Sequence, residues 1–211
     1  VDYSQGDSLF LHGDTLQLYT YFLDTDSMYR ETRAYHKVRF YRTDVQGVCD
    51  SLVFSSKDSC LTMYRDPILW NGNQQLLGEE VMVYMNDSTI DWAHIHNQTL
   101  SVEKIDSVNY NQVTGKDMKA YFTDGEIYKV DVIGSVRVIY YPMEKDSTLM
   151  GMNVMEGGEL NMYLENRKLT KGVMSPQPKG TFYPMDQLPP KEMKLANFAW
   201  LDNIRPLNKH D

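Results

Sequence analysis

Positive charge is in short supply. Lys and Arg number 21 against 29 Asp and Glu, giving a formal net charge of −8 and a pI near 5.1. A nucleic-acid footprint needs clustered positive charge. No run of Lys and Arg reverses the balance locally, so nucleic acid is excluded as a partner. Cysteine is almost missing, with only Cys49 and Cys60. Two thiols make neither a zinc site of paired spacing nor a disulfide framework. A turn at Ser56-Lys57 should set Cys60 opposite Val53 rather than Cys49, so no disulfide is expected between them. Long apolar runs are absent too: no window approaches the roughly 18 residues that a membrane-spanning helix needs. No signal peptide precedes Val1. A chain that starts on Val reads as processed or excised, and its compartment is not legible from targeting. Finally, there is no glycine-rich phosphate loop, no serine in a nucleophile-elbow pattern, and little helical periodicity.

Alternation is abundant. Leu9 and Leu11, Leu16 and Leu18, Val38 and Phe40, Val81 and Val83, and Val136 and Val138 each stand two apart with other residues between. A period of two is the strand signal, because successive side chains point to opposite faces. The 15 Tyr residues suit a pleated, half-buried surface. Turn chemistry separates the runs: Ser55-Ser56-Lys57-Asp58, Asn71-Gly72-Asn73, Asn86-Asp87-Ser88 and Asp124-Gly125. Strands at roughly 8–12-residue intervals predict a sandwich, jelly roll or open barrel. Further on, Glu159 to Leu164 alternates, and Glu165-Asn166-Arg167-Lys168 reads as a hairpin tip. Pro176, Pro178, Pro184, Pro189 and Pro190 then make a stretch that should wrap rather than pair. Phe198 and Trp200 should pin it to the body, and Lys191 to Leu195 should form a turn of helix.

One unit recurs: a polar pair followed by alternating apolar positions. Its copies are Asp14-Thr15-Leu16-Gln17-Leu18, Asp50-Ser51-Leu52-Val53-Phe54, Glu79-Glu80-Val81-Met82-Val83 and Lys116-Asp117-Met118-Lys119-Ala120, with Asp7-Ser8-Leu9-Phe10-Leu11 a partial one. Gly13, Gly47, Gly78 and Gly115 stand just ahead. Offsets of 36, 29 and 37 residues exclude a solenoid of fixed coil length but suit hairpins with variable loops. Ala34 to Tyr41, Pro67 to Trp70 and Gly134 to Tyr141 close the units. One hairpin cannot bury an apolar face alone, whereas folded-over hairpins can. The glycines should permit a bulge or bend where the sheet turns.

These units, "VQGVCDSLVFSSKDSCLTMYRDPILW", "LLGEEVMVYMNDSTIDW" and "VTGKDMKAYFTDGEIYKVDVIGSVRVIYY", resemble the OstA-like family over about residues 7–141. That family includes the periplasmic bridge protein of lipopolysaccharide export and the N-terminal domain of its outer-membrane partner. The resemblance implies an all-β, repeat-built β-jellyroll, an antiparallel sheet folded over like a taco. It implies residence in the periplasm or at the outer membrane, and an apolar interior that carries the acyl chains of lipopolysaccharide or a related envelope lipid. It also implies homologous domains chained by edge-strand pairing, through strands such as Leu9 to His12 and Val136 to Tyr140, which carry few blocking charges. Two regions are expected: 1–144 as the β-repeat domain, and 145–211 as a strand hairpin and Pro-rich extension packed on it.

Chemistry-bearing residues have bland explanations. His94 and His96 share a strand face with Asp91 nearby, yet show no third nitrogen ligand, so neither a metal nor a cofactor is expected. Asp14, Asp50 and Glu79 could pair as glycosidase carboxylates. As the repeat's own polar position, they are better explained as turn-capping devices. Trp70 and Trp92 each close a repeat and should pack at sheet ends. The expectation is therefore a non-enzymatic lipid-binding domain. Its interior site is Leu16, Leu18, Val38, Phe40, Leu52, Phe54, Val81, Val83, Val136 and Val138. The alternative is a structural or protein-interaction module that docks envelope neighbours through open sheet edges.

Overall fold

Alternating segments become strands wherever turn residues release them. The computed structural model describes residues 9–86, 89–166 and 168–211. Asp7 and Ser8 of the partial repeat, Asp87 and Ser88 of one turn, and Arg167 at a hairpin tip lie outside them. The strands are β1 (Phe10–His12), β2 (Thr15–Tyr21), β3 (Tyr29–Tyr41), β4 (Gln46–Ser55), β5 (Cys60–Tyr64), β6 (Ile68–Asn71) and β7 (Gln74–Leu77). They continue as β8 (Glu80–Asn86), β9 (Thr89–Lys104), β10 (Tyr110–Thr123), β11 (Glu126–Tyr140), β12 (Gly151–Glu165), β13 (Lys168–Ser175) and β14 (Lys179–Pro184). The Asn71–Gln74 and Thr123–Glu126 hairpins close around Gly72 and around Asp124-Gly125, all at positive φ. No helix among the described residues is long and apolar enough to cross a membrane.

All 14 strands lie in one sheet, ordered β1-β3-β4-β5-β8-β9-β10-β11-β12-β13. Every strand pair is antiparallel, from β1–β3 and β3–β4 at one end to β12–β13 at the other. Strand β2 adds to β3 and β14 to β12, while the β6–β7 hairpin bridges β4 and β9.

The sheet is bent across its middle. Three long strands carry two successive positive-φ residues there: His36-Lys37, Asn97-Gln98 and Gly134-Ser135. Ladder register breaks at the same places, between Tyr35 and Val38 and between Ile133 and Val136. Positive φ is uncommon outside glycine, so paired occurrences mark a shared bulge that turns each strand. The repeat is the sequence of this bend. A Cβ on Gly78 would lie 2.5 Å from Ile95 Cγ2, and one on Gly115 would lie 2.6 Å from Val132 Cγ1. The glycine is thus where the strand passes closest to an inner side chain. The acidic residue sits on the outside of the bend: the backbone N–H of Asp14 donates to His36 O at 3.1 Å, and that of Glu79 to His96 O at 3.0 Å.

The halves on either side of the bend share one core. Val38, Phe40, Val136 and Val138 pack in the same cluster as Leu52, Met63, Val81, Ile95 and Leu160. The outer face of the second half is covered as well, by the Pro-rich tail. Gln112 Nε2 donates to Met193 O at 2.9 Å, and the Leu195 N–H donates to Gln112 Oε1 at 2.9 Å. Gln75 Nε2 donates to Ala199 O at 2.8 Å, and the Leu201 N–H donates to Gln75 Oε1 at 2.7 Å. Tyr110 meets the rings of Phe198 and Trp200 at 5.2 and 5.7 Å, so both tail aromatics pin the strap as expected.

Several local expectations differ from the structure. Lys191 to Leu195 is turn rather than helix; the short 3₁₀ turns are Met185–Gln187 and Asp202–Ile204. Trp70 does not cap a sheet end. It is fully buried between strand and strap, its indole N–H donating to Gln75 Oε1 at 3.1 Å. Cys60 pairs with Ser55, and Val53 faces Thr62, because the hairpin closes on a four-residue tip, residues 56–59, rather than on Ser56-Lys57 alone. Both thiols are free. Val136 to Tyr140 is no edge: β11 is paired on both sides, by β10 and β12. Residue 144 falls between β11 and β12, which pair along most of their length, so the sheet continues through it.

Candidate functional site

Cross-strand register lines the inner side chains into rows. The row nearest the bend runs Leu16, Ala34, Leu52, Met63, Val81, Ile95, Met118, Val132, Leu160 and Met174. The next runs Leu18, Thr32, Phe54, Leu61, Val83, Ala93, Ala120, Val130 and Met162. Burial separates them. From Ala34 to Leu160 the first row is at most 4% exposed. In the second row Phe54, Leu61, Val83 and Met162 are only half-buried. Farther out, Phe122, Ile127 and Leu164 still pack on the cluster but are also half-buried. From the second half Leu11, Leu69, Leu76, Val113 and Met155 join it in the same state. The interior is dry at the bend and increasingly accessible away from it.

Of the ten expected interior positions, Val38, Phe40, Leu52, Val81, Val136 and Val138 are buried, and Phe54 and Val83 are half-buried beside them. Leu16 and Leu18 occupy the same rows but are 55% and 69% exposed, since β2 lies at the sheet edge beyond the core. Sequence reading missed Leu61, Met63, Ile95, Met118, Val132 and Leu160. Their signal was present in the alternation of β5, β9, β10, β11 and β12, and the cross-strand register assembles it into rows.

Polar features lie elsewhere. Two open hollows of about 450 and 630 Å³ sit at the β10–β11 hairpin tip and on the outside of the bend. Both are lined largely by polar side chains such as Asp124 and Glu126, or Gln98 and Asn197. The acidic repeat residues are engaged at the bend. Asp14 lies 3.9 Å from Lys37 Nζ, and Asp50 lies 3.6 Å from His36 and 3.1 Å from Arg65. Glu79 accepts from Asn97 and Gln98 at 3.2 and 3.0 Å. These carboxylates cap bulges rather than pair across a cleft.

On the outer face, His94 and His96 lie against each other, ring centroids 3.7 Å apart and planes tilted by 43°. Asp91 is exposed on the opposite alternation, and the carboxylate beside the histidines is Asp117 of β10. Its Oδ1 lies 2.7 Å from His96 Nδ1 and 3.6 Å from His94 Nε2. Burial, then the neighbouring His96, pushes the His94 pKa below the ordinary imidazole value. Trp92 extends this face, stacked on Tyr84 at 4.1 Å. In the core, burial and then Asp50 push the Cys49 thiol up to about 12.

The fold defines the class: an all-β chain whose single antiparallel sheet folds over an apolar interior, as in a β-jellyroll. A scan against protein-family models finds no match, and no curated protein matches the chain. Four solved chains match in structure. One is LptH of Pseudomonas aeruginosa, the LptA-homologous periplasmic component of a lipopolysaccharide transport device. It is 13% identical, the likeness covers 86% of this chain and 97% of that one, and the TM-score is 0.44. A likeness of that size establishes neither the family nor an activity of this chain.

Proposed function

We propose that the chain is a non-enzymatic, extracytoplasmic binding domain of lipopolysaccharide transport or outer-membrane assembly, in the periplasm or at the outer membrane. It holds the acyl chains of lipopolysaccharide, or a related envelope lipid, along the outer inner-face rows of its folded sheet. The observation that carries this reading is the burial gradient: apolar rows continue past the dry bend onto half-buried Phe54, Leu61, Val83 and Met162. Side chains left half-covered in register offer an acyl chain a continuous apolar track, and each methylene buried there contributes about 0.8 kcal/mol. The OstA-like repeat supports the choice of lipid. A net charge of −8 opposes an anionic headgroup, so affinity rests on acyl chains and varies little with salt.

Homologous domains add to this one by strand pairing. The sheet ends, β1 with β2 and β13 with β14, each pair on one side only within the chain, which supports that partner. The same edges support the second reading, a structural module that docks envelope proteins and binds no lipid. Photocrosslinking separates the two. A photoreactive residue at Phe54 or Val83 is expected to capture purified lipopolysaccharide but not its lipid-free polysaccharide, and one at exposed Leu18 to capture far less. Capture of neither ligand would leave the docking module. Capture of the polysaccharide alone would point to the Tyr and Trp residues as a sugar surface.

A further inference from the structure

We infer that His94, His96 and Asp117 form a binding site for a divalent transition-metal ion of zinc type on the outer face of the sheet. The sequence places the two histidines two apart, hence on one face of β9, but supplies no third donor nearby. The register of β10 supplies it: Asp117 is the cross-strand partner of His96. One donor atom from each residue lies within 4.8 Å of the others, and this is the one such group found among the described residues.

The distances suit a metal. Zinc binds imidazole and carboxylate at about 2.0–2.2 Å, which sets tetrahedral donors roughly 3.4 Å apart. His94 Nε2 and Asp117 Oδ1 are already 3.6 Å apart. The 2.7 Å contact between His96 Nδ1 and Asp117 Oδ1 is a hydrogen bond, and an ion would replace its proton after a shift of under about 1 Å. His94 and Asp117 side chains are 15% and 16% exposed while His96 is 36% exposed. The site is therefore shielded on two sides and open on the third, where water completes the shell. Lys119 is cross-strand from His94, and its ammonium lies over the Trp92 ring at 5.7 Å.

The repeat argues that the arrangement exceeds what the bend requires. Asp14, Asp50 and Glu79 hold the first position of their copies at the bend, where the fourth copy has Lys116, and Asp50 has a single histidine, His36, at 3.6 Å. Asp14 and Glu79 do the same work with Lys37, or with Asn97 and Gln98. Asp117 stands one position later, where those copies have Thr15, Ser51 and Glu80, and it alone among the described repeat residues meets a second imidazole, at 3.6 Å beside the first at 2.7 Å. An unmetallated bend has no need of that ring.

The test is titration of the untagged, chelator-treated full chain with Zn²⁺ by calorimetry, with Mg²⁺ and Ca²⁺ as controls. One Zn²⁺ per chain is expected, with a melting temperature raised by several degrees and returned by chelator. His94→Gln and His96→Gln should each weaken binding at least about tenfold, whereas His36→Gln, which removes the single-histidine pair, should change nothing. Co²⁺ offers a readout independent of variants, since a tetrahedral nitrogen–oxygen site gives it an intense, red-shifted visible absorption where the six-coordinate aqueous ion absorbs only weakly. Absence of saturable Zn²⁺ binding would overturn the inference. So would binding that survives both substitutions in folded protein, or Co²⁺ bound with only the aqueous spectrum.

Discussion

Leu52 and Leu16 occupy the same place in two copies of one repeat, yet Leu52 is 3% exposed and Leu16 55%. The side chain is identical; what differs is whether a facing half of the sheet lies above it. Cys49 shows how completely the interior near the bend excludes water. Its thiol, raised from 9.0 to about 12, stays protonated in the folded chain where the unfolded chain would ionise. Between those values the folded state holds the extra proton. The stability linked to this thiol is therefore intact below pH 9 and is lost as pH rises toward about 12. At pH 8 a thiol reagent is expected to modify half-exposed Cys60 in the native protein and to reach Cys49 only after denaturant is added. Modification of both at equal rates would mean that the core is open at the bend. Buried Gln75 and Gln112 make the complementary point: each is held by hydrogen bonds to the strap, so their polarity costs little and fixes where the tail lies.

The bent strand is the element on which the architecture rests. β3, β9 and β11 each contribute to both halves of the sheet because two successive residues adopt positive φ partway along. At Gly134 the need for glycine is double: φ is +84°, and an added Cβ would lie 2.7 Å from Lys116 Cβ. Gly134→Ala is expected to destabilise the chain by about 1–3 kcal/mol in urea unfolding. Ser135→Gly, one residue on at φ 52°, should lose nothing, because it relieves the same backbone strain. Equal midpoints for the two variants would show that the bend does not depend on this geometry. Asp14, Asp50 and Glu79 outside the bend act at the same scale, tying the bulge to the neighbouring strand.

For the whole molecule, the consequence is a sheet with two differently covered halves. Strands such as β6 and the second half of β9 are buried on both faces, inward by the shared core and outward by the strap, which is why Trp70, Leu100 and Val102 are all at most 2% exposed. Deleting residues 185–211 should uncover that face. The expected signs are stronger binding of a hydrophobic dye and a red shift of tryptophan emission, with the β signal of circular dichroism kept. A truncated chain with unchanged dye binding and emission would show that the strap covers nothing. The half-buried rows away from the bend are a separate surface, and deletion of the strap should leave lipid crosslinking from Phe54 in place.

The sequence alone determined strand content, turn positions and the repeat, because period-two alternation and Asn-Gly or Asp-Gly turns act through local backbone sterics. It also placed the glycine of each unit at a bulge or bend and read Asp14, Asp50 and Glu79 as strand-start or turn-capping residues, because they recur at one position of the repeat. Which alternating residues are buried, and how deeply, was decided by the tertiary structure: burial depends on the facing half of the sheet, which alternation within a strand does not encode. Register between β9 and β10 likewise brought Asp117 to His94 and His96 across a separation of 21 residues or more. So too for Gln75 and Gln112, whose partners lie in a strap more than 80 residues away along the chain. A strand's own pattern names its two faces, and only the strands and segments packed against it determine what each face becomes.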